Sequence, residues 1–145
     1  MASDPIAVAS DHGGFELKTL LVADLNAAGV PVLDLGTMSS ESVDYPDYAN
    51  ALARALAEGK AQRGVLLCGT GIGVSMVANR HKGIRAAVCR DVTDARLARQ
   101  HNDANVLCLG GRTTGPEVAR DVLRTFLSTE FEGGGRHTRR IAKFS

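Results

Sequence analysis

Short apolar runs alternate with amphipathic stretches from one end of the chain to the other. Ile6-Ala7-Val8-Ala9-Ser10, Val32-Leu33-Asp34-Leu35, Val65-Leu66-Leu67-Cys68, Ile84-Arg85-Ala86-Ala87-Val88 and Val106-Leu107-Cys108-Leu109-Gly110 read as strands. Between them, Leu17, Leu20, Leu21 and Leu25 recur at three-to-four-residue spacing, predicting a helix from Phe15 to Ala28 that Gly29 ends. Pro46 opens a second helix to Glu58, stopped by Gly59, and helices over 72–80 and 92–100 follow the third and fourth strands. Gly115-Pro116 starts a last long helix with Val118, Val122, Leu123 and Phe126 on one face. Continuously apolar strands alternating with helices predict a parallel sheet covered on both sides. The expected fold is a Rossmann-like, three-layer α/β/α sandwich on a five-stranded parallel sheet, one domain over residues 1–145.

Ligands of such sheets bind beyond the carboxyl ends of the strands. The loops at that edge hold Asp11-His12-Gly13-Gly14, residues 36–44, Cys68 to Gly73, Cys89-Arg90-Asp91 and Gly110-Gly111-Arg112-Thr113. After Glu132 the pattern breaks into three glycines and the basic tail Arg136-His137-Thr138-Arg139-Arg140. With few apolar residues of its own, segment 130–145 is expected to pack on a partner subunit.

Composition narrows the function classes. A length of 145 residues suits one core, and a net charge of +1 gives no global reason to expect nucleic acid or a membrane surface. Cys68, Cys89 and Cys108 are odd in number and sit in apolar runs, which suits a reducing compartment better than a disulfide framework. The cysteine spacing fails the paired pattern of a zinc site. The first residues lack the regions of a signal peptide and no apolar run approaches transmembrane length, so the cytoplasm is the expected location.

The chemistry concentrates at Cys68-Gly69-Thr70-Gly71-Ile72-Gly73, a strand end running into a glycine turn and a helix start. Such a junction gathers backbone N–H groups that can hold a small anion, and a thiol at its rim is biased toward the thiolate, a base or nucleophile. The ordinary alternative is a small buried hydrophobe closing a strand. The spacing is neither that of a dinucleotide fingerprint nor of a Walker A loop, which favours a developing enediolate or a carboxylate over a nucleotide. His12, beside Asp11 in the first loop, is either a near-neutral acid–base or a structural histidine. His101 closes the fourth helix, where an imidazolium also serves as a simple cap. His81, beside Lys82-Gly83, reads as solvated. Arg112 lies at the ligand edge, and Arg136 and Arg140 share a face if the tail is helical, so both could clamp one phosphate. The alternative is a solvated basic tail; no aromatic platform accompanies it, against single-stranded nucleic acid.

Taken together, Ser10-Asp11-His12-Gly13-Gly14, Ser39-Ser40-Glu41, Asp44-Tyr45-Pro46 and Cys68 to Gly73 resemble the sugar-phosphate isomerases of ribose-5-phosphate isomerase type B, with their galactose-6-phosphate isomerase relatives. Ala78-Asn79-Arg80, Gly83-Ile84-Arg85-Ala86, Arg99 to Asn105 and Glu132 through His137 extend the match over nearly the whole chain. The resemblance implies an aldose–ketose isomerase of the pentose phosphate pathway, without metal or organic cofactor, acting on ribose 5-phosphate through a cis-enediolate. His101 would open the sugar ring, with Asp11 and Thr70 assisting at the hydroxyls, and Cys68 would carry the proton from C2 to C1. Gly69, Gly71, Ile72 and Gly73 would hold the enediolate with their N–H groups, Asn102 would hold the intermediate, and His12, Arg112, Arg136 and Arg140 the phosphate. It also implies a homodimer, or a dimer of dimers, whose sites share residues of two subunits. Two departures stand out. Some members place a glutamate base after the last glycine of the turn, where this chain has Val74; and three glycines, not two, precede the Arg-His pair. An isomerase of an allose, galactose or tetrulose phosphate is the close rival, and a noncatalytic phosphosugar sensor the distant one.

Overall fold

Apolar residues at consecutive positions, not alternate ones, form strands only where both faces of a sheet are covered. The computed structural model describes residues 4–145. In it, β1 (Ile6–Ser10), β2 (Val32–Asp34), β3 (Arg63–Cys68), β4 (Ala86–Val88) and β5 (Val106–Gly110) pair in parallel in the order β2-β1-β3-β5-β4. The central strands β1 and β5 are buried throughout, and the three-residue edge strands β2 and β4 are half-buried.

Six helices follow: α1 (Phe15–Ala27), α2 (Tyr45–Ala57), α3 (Ile72–Ala78), α4 (Val92–Asn102), α5 (Pro116–Ser128) and α6 (Arg136–Ala142). One core joins Leu17, Leu21 and Leu25 of α1, Ala95 of α4 and Val122 and Phe126 of α5 to Val8, Val65, Leu67 and Leu107. The other joins Leu52 of α2 and Val74 of α3 to Ala7, Ala9, Leu66, Cys68 and Cys108. Each buried Leu, Val or Phe contributes roughly 1.5–3 kcal/mol. The result is the expected three layers, with α1, α4 and α5 on one face and α2 and α3 on the other. Among the described residues no helix is long and apolar enough to cross a membrane.

Successive connections leave β1 in one direction for β2 and then cross it to β3. That reversal opens a crevice between the carboxyl ends of β1 and β3, the usual place for a ligand in such sheets. The loop after β1 carries Asp11 and His12, and the loop after β3 begins with Cys68.

Element boundaries depart from the sequence reading at two informative places. Strand β4 begins at Ala86, because the Arg85 N–H is taken by the Asn105 side chain at 2.8 Å. Helix α4 runs two residues further than expected, through His101 and Asn102, and ends at Asp103 in the left-handed region (φ 45°). That conformation costs a non-glycine residue roughly 1–2 kcal/mol. Asp103 is held there by ion pairs to Arg99 at 2.8 Å and Arg85 at 3.3 Å. His81 is not solvated as expected: it is half-buried, with Nε2 2.7 Å from Asn50 Oδ1, tying α2 to the turn before β4.

Candidate active site

The carboxyl edge is assembled by backbone packed on backbone. Gly71 adopts φ 80°, which turns the chain sharply after Thr70 and directs its N–H onto Cys68 Sγ at 3.1 Å. A Cβ at Gly71 would stand 3.0 Å from the Leu109 backbone, so only glycine fits both conformation and space. The sulfur, otherwise buried, is the acceptor in this bond. Ile72 N–H turns inward to Thr70 Oγ1 at 3.2 Å, leaving the threonine's O–H free to donate. Of the four N–H groups that begin α3, two are thus used within the turn. Those of Gly73 and Val74 remain without an intrahelical acceptor.

Around this turn stand three more of the residues singled out from sequence. Asp11 accepts the Gly14 N–H at 3.2 Å through one carboxylate oxygen, capping the 3-10 turn His12–Gly14. His12 Nδ1 accepts the Val43 N–H at 3.1 Å, which places the ring proton on Nε2 and makes that atom a donor. Arg112 is exposed and lays its stem over Gly69, while its own N–H bonds Gly69 O at 2.9 Å. Tyr45, absent from the sequence-based set, packs its ring on Gly73 and leaves 40% of the residue in solvent.

The other cysteines have no such setting. Burial, with Asp94 and Asp91 nearby, pushes the Cys89 thiol up to about 12. Burial, then the neighbouring Cys89 and Cys68, pushes Cys108 up as well. Neither is a base near neutral pH.

His101, Asn102, Arg136 and Arg140 lie elsewhere. Helix α4 leaves the carboxyl end of β4 and descends to the amino end of β5, so its last residues reach the opposite edge of the sheet. Strand β3 alone separates the two edges by about 20 Å at ~3.3 Å per residue. Exposed Asn102 lines a cleft of about 610 Å³ there, with Ile84 and Phe144. The tail finds a seat within its own chain: α6 docks on α4, with the His137 ring stacked on His101 at 4.3 Å and 13°. Burial, then the charges of His101 and Arg136, hold the His137 imidazole below its ordinary value. The tail is helical, so Arg136 and Arg140 share a face, and both are exposed. Before the helix, Gly134 takes φ 84° and donates its N–H to Thr138 Oγ1 at 3.0 Å.

One chain therefore presents two groups of candidate residues on opposite edges, a thiol in a glycine turn and an imidazole stacked on the helix that carries two arginines. The profile of the ribose/galactose isomerase family matches residues 6–144. The chain belongs to the ribose/galactose isomerase family. Ribose-5-phosphate isomerase B of Escherichia coli is 49% identical over 94% of this chain and 91% of its own length. A D-erythrulose-4-phosphate isomerase of Pectobacterium atrosepticum is 46% identical over 90% of this chain and 86% of its own. A ribose 5-phosphate isomerase of Thermotoga maritima superposes with a TM-score of 0.95 at 53% identity, covering 97% of each chain. Val74, directly after the last glycine of the turn, is fully buried in the same core as Cys68.

Proposed function

We propose that this chain, as a homodimer, interconverts D-ribose 5-phosphate and D-ribulose 5-phosphate through a cis-enediolate. The observation that carries the proposal is Cys68 Sγ accepting the Gly71 N–H at 3.1 Å within a glycine turn, in a member of a sugar isomerase family. His101 of the partner subunit protonates the ring oxygen while the O1 hydroxyl proton leaves, which opens the furanose. Cys68 thiolate removes the C2 proton, the electron pair moves toward C1–O1, and the same proton returns to C1 while the O2 proton passes to O1. N–H groups of the turn hold the enediolate charge, each such donor being worth about 3 kcal/mol in the transition state. His12 Nε2–H, Arg112 and the partner's Arg136 and Arg140 hold the phosphate, and Asn102 of the partner subunit holds the intermediate.

Two observations support a second copy in the site. His101 and Cys68 lie at opposite edges of one rigid sheet, so one chain does not bring them to one sugar. Beside the turn, α3 exposes Ile72 (42%) and Met76 (65%), four residues apart on one face. That apolar surface suits an isologous contact. A cytoplasmic setting follows from the free thiol that the reaction needs.

A second reading, a tetrulose 4-phosphate isomerase, is favoured by the erythrulose-4-phosphate relative, whose identity is only slightly lower. Turnover of ribose 5-phosphate and erythrulose 4-phosphate by wild type and Cys68→Ala tests both. Ribose 5-phosphate is expected to have the higher kcat/KM, with a loss of about 10²–10⁴-fold in the variant. The opposite substrate ranking selects the second reading, and full activity in Cys68→Ala removes the thiol as base.

A further inference from the structure

Behind His101 lies a group of side chains that isomerisation leaves without a task. A nitrogen of His101, a nitrogen of His137 and a carboxylate oxygen of Glu132 all lie within 4.8 Å of one another. Two features hold them there. The Glu132 N–H donates to Gln100 O at 3.1 Å, seating the loop before α6 on the last turn of α4, and the two imidazoles stack. His137 is only 9% exposed, and its Nε2 is buried with no hydrogen-bond partner. Leaving such an atom unpaired costs about 1–3 kcal/mol, so its setting suits an occupant.

Two imidazole nitrogens and a carboxylate oxygen are a donor set for a cation, whose charge Glu132 offsets against the guanidiniums of Arg136 and Arg140 that also act on His137. Two imidazoles and one carboxylate are the three-ligand set of zinc sites that keep an open fourth position. Calcium and magnesium prefer all-oxygen shells and do not fit. Tetrahedral zinc places its ligand atoms about 3.3 Å apart, given bonds of about 2.0–2.2 Å. The widest pair of the cluster must therefore close by up to about 1.5 Å. Glu132 is exposed and α6 is a seven-residue helix near the chain end, so both ligands have room to close on His101. Imidazole lone pairs lie in the ring plane, so binding requires His137 to turn out of its 13° stack on His101.

We infer that His101, Glu132 and His137 form a binding site for a borderline divalent cation, Zn²⁺ being the type. Its occupation withdraws the His101 imidazole from the sugar and inhibits isomerisation. Only the inhibitory consequence rests on the reading of His101 as ring opener; the binding site does not.

Equilibrium dialysis with Zn²⁺ and visible spectroscopy with Co²⁺ test binding in the full-length wild type, Cys68→Ala, His137→Gln and Glu132→Gln. Wild type and Cys68→Ala are expected to hold one ion per chain with four-coordinate Co²⁺ bands. His137→Gln and Glu132→Gln should bind at least about tenfold more weakly, the lower end of what losing even a supporting group costs a metal site. In the activity arm, Zn²⁺ should inhibit wild type reversibly to chelation and Mg²⁺ should not. Glu132→Gln, with basal turnover intact, should need at least about tenfold more Zn²⁺. Binding lost in Cys68→Ala but kept in both His137→Gln and Glu132→Gln places the ion on the thiol and overturns the site, as does no binding to wild type. Binding as expected without inhibition overturns the inhibitory consequence and removes His101 from ring opening.

Discussion

The two edges of the sheet carry the two groups of candidate residues and are built by opposite means. At the carboxyl edge, the working groups are held by glycine turns: Gly13 lies on Gly69, Gly111 on Gly13, and Gly71 fixes the N–H that meets the thiol. At the amino edge they hang on helix ends, His101 on the last turn of α4 and Arg136 and Arg140 on α6. Backbone turns set positions to a fraction of an ångström at the expense of tolerance to substitution. Helix-end side chains tolerate change, and Arg136 and Arg140 reach into solvent. In the proposed mechanism the base, His12 and Arg112 belong to the rigid edge, and the ring opener and the other two phosphate ligands to the opposite one.

Mixing two dead variants is the strongest way to break this division. Cys68→Ala and His101→Gln should each be nearly inactive. Unfolding and refolding them together should restore about a quarter of wild-type activity, because half the twofold dimers then carry one site with neither lesion. No recovery, in material shown to be mixed dimer, would place both groups in one chain's site.

A smaller effect separates the two edges by substrate. His101→Gln should lose about 10²–10⁴-fold in kcat on ribose 5-phosphate. It should keep near-wild-type turnover of erythrose 4-phosphate, whose O4 carries the phosphate and closes no furanose ring. Cys68→Ala should lose both. Equal losses in the His101 variant would show that its imidazole does more than open rings.

Rigidity itself can be titrated at Gly71. Gly71→Ala should cost about 1–3 kcal/mol by urea denaturation, since the left-handed backbone is strained for alanine. The same substitution at Gly135, outside the left-handed region and with open space around it, should cost little. Equal costs would show that the carboxyl edge is no stiffer than the tail.

The least effect concerns the silent thiols. Cys89 titrates near 12 in the folded chain but from 9.0 when exposed, so the unfolded state releases its proton first as pH rises. Its contribution to stability is complete below pH 9 and is lost as pH climbs from 9 toward 12. The urea midpoint should fall over that window and fall less in Cys89→Ala; a midpoint constant to pH 11 would contradict the burial that raises this thiol.

The layers were legible in the sequence because continuous apolar runs have few alternatives to buried parallel strands. Asp11, His12, Cys68, Thr70 and Arg112 followed, since a parallel sheet brings all its strand-to-helix loops to one edge. The strand order was not legible, as no residue announces which neighbour a strand takes. Sharing of a site between subunits came only with the family resemblance, for His101 and Cys68 are both near turns and only the course of α4 shows that they face opposite ways. The grouping of His101 with Glu132 and His137 joins residues over 30 positions apart, a spacing that matches no local metal motif.

Val74 points to a limit on how this site can be altered. It shares a core with Cys68 and is wholly enclosed, so a glutamate there would place a carboxylate in the space around the thiol. A buried charge without a partner is costly enough that the fold would reject it or neutralise it. A carboxylate base at position 74 and the Cys68 thiol would thus compete for one volume. Exchanging one for the other requires coordinated changes at both positions, and each single step between them is expected to be a catalyst with no base or a protein with a damaged core.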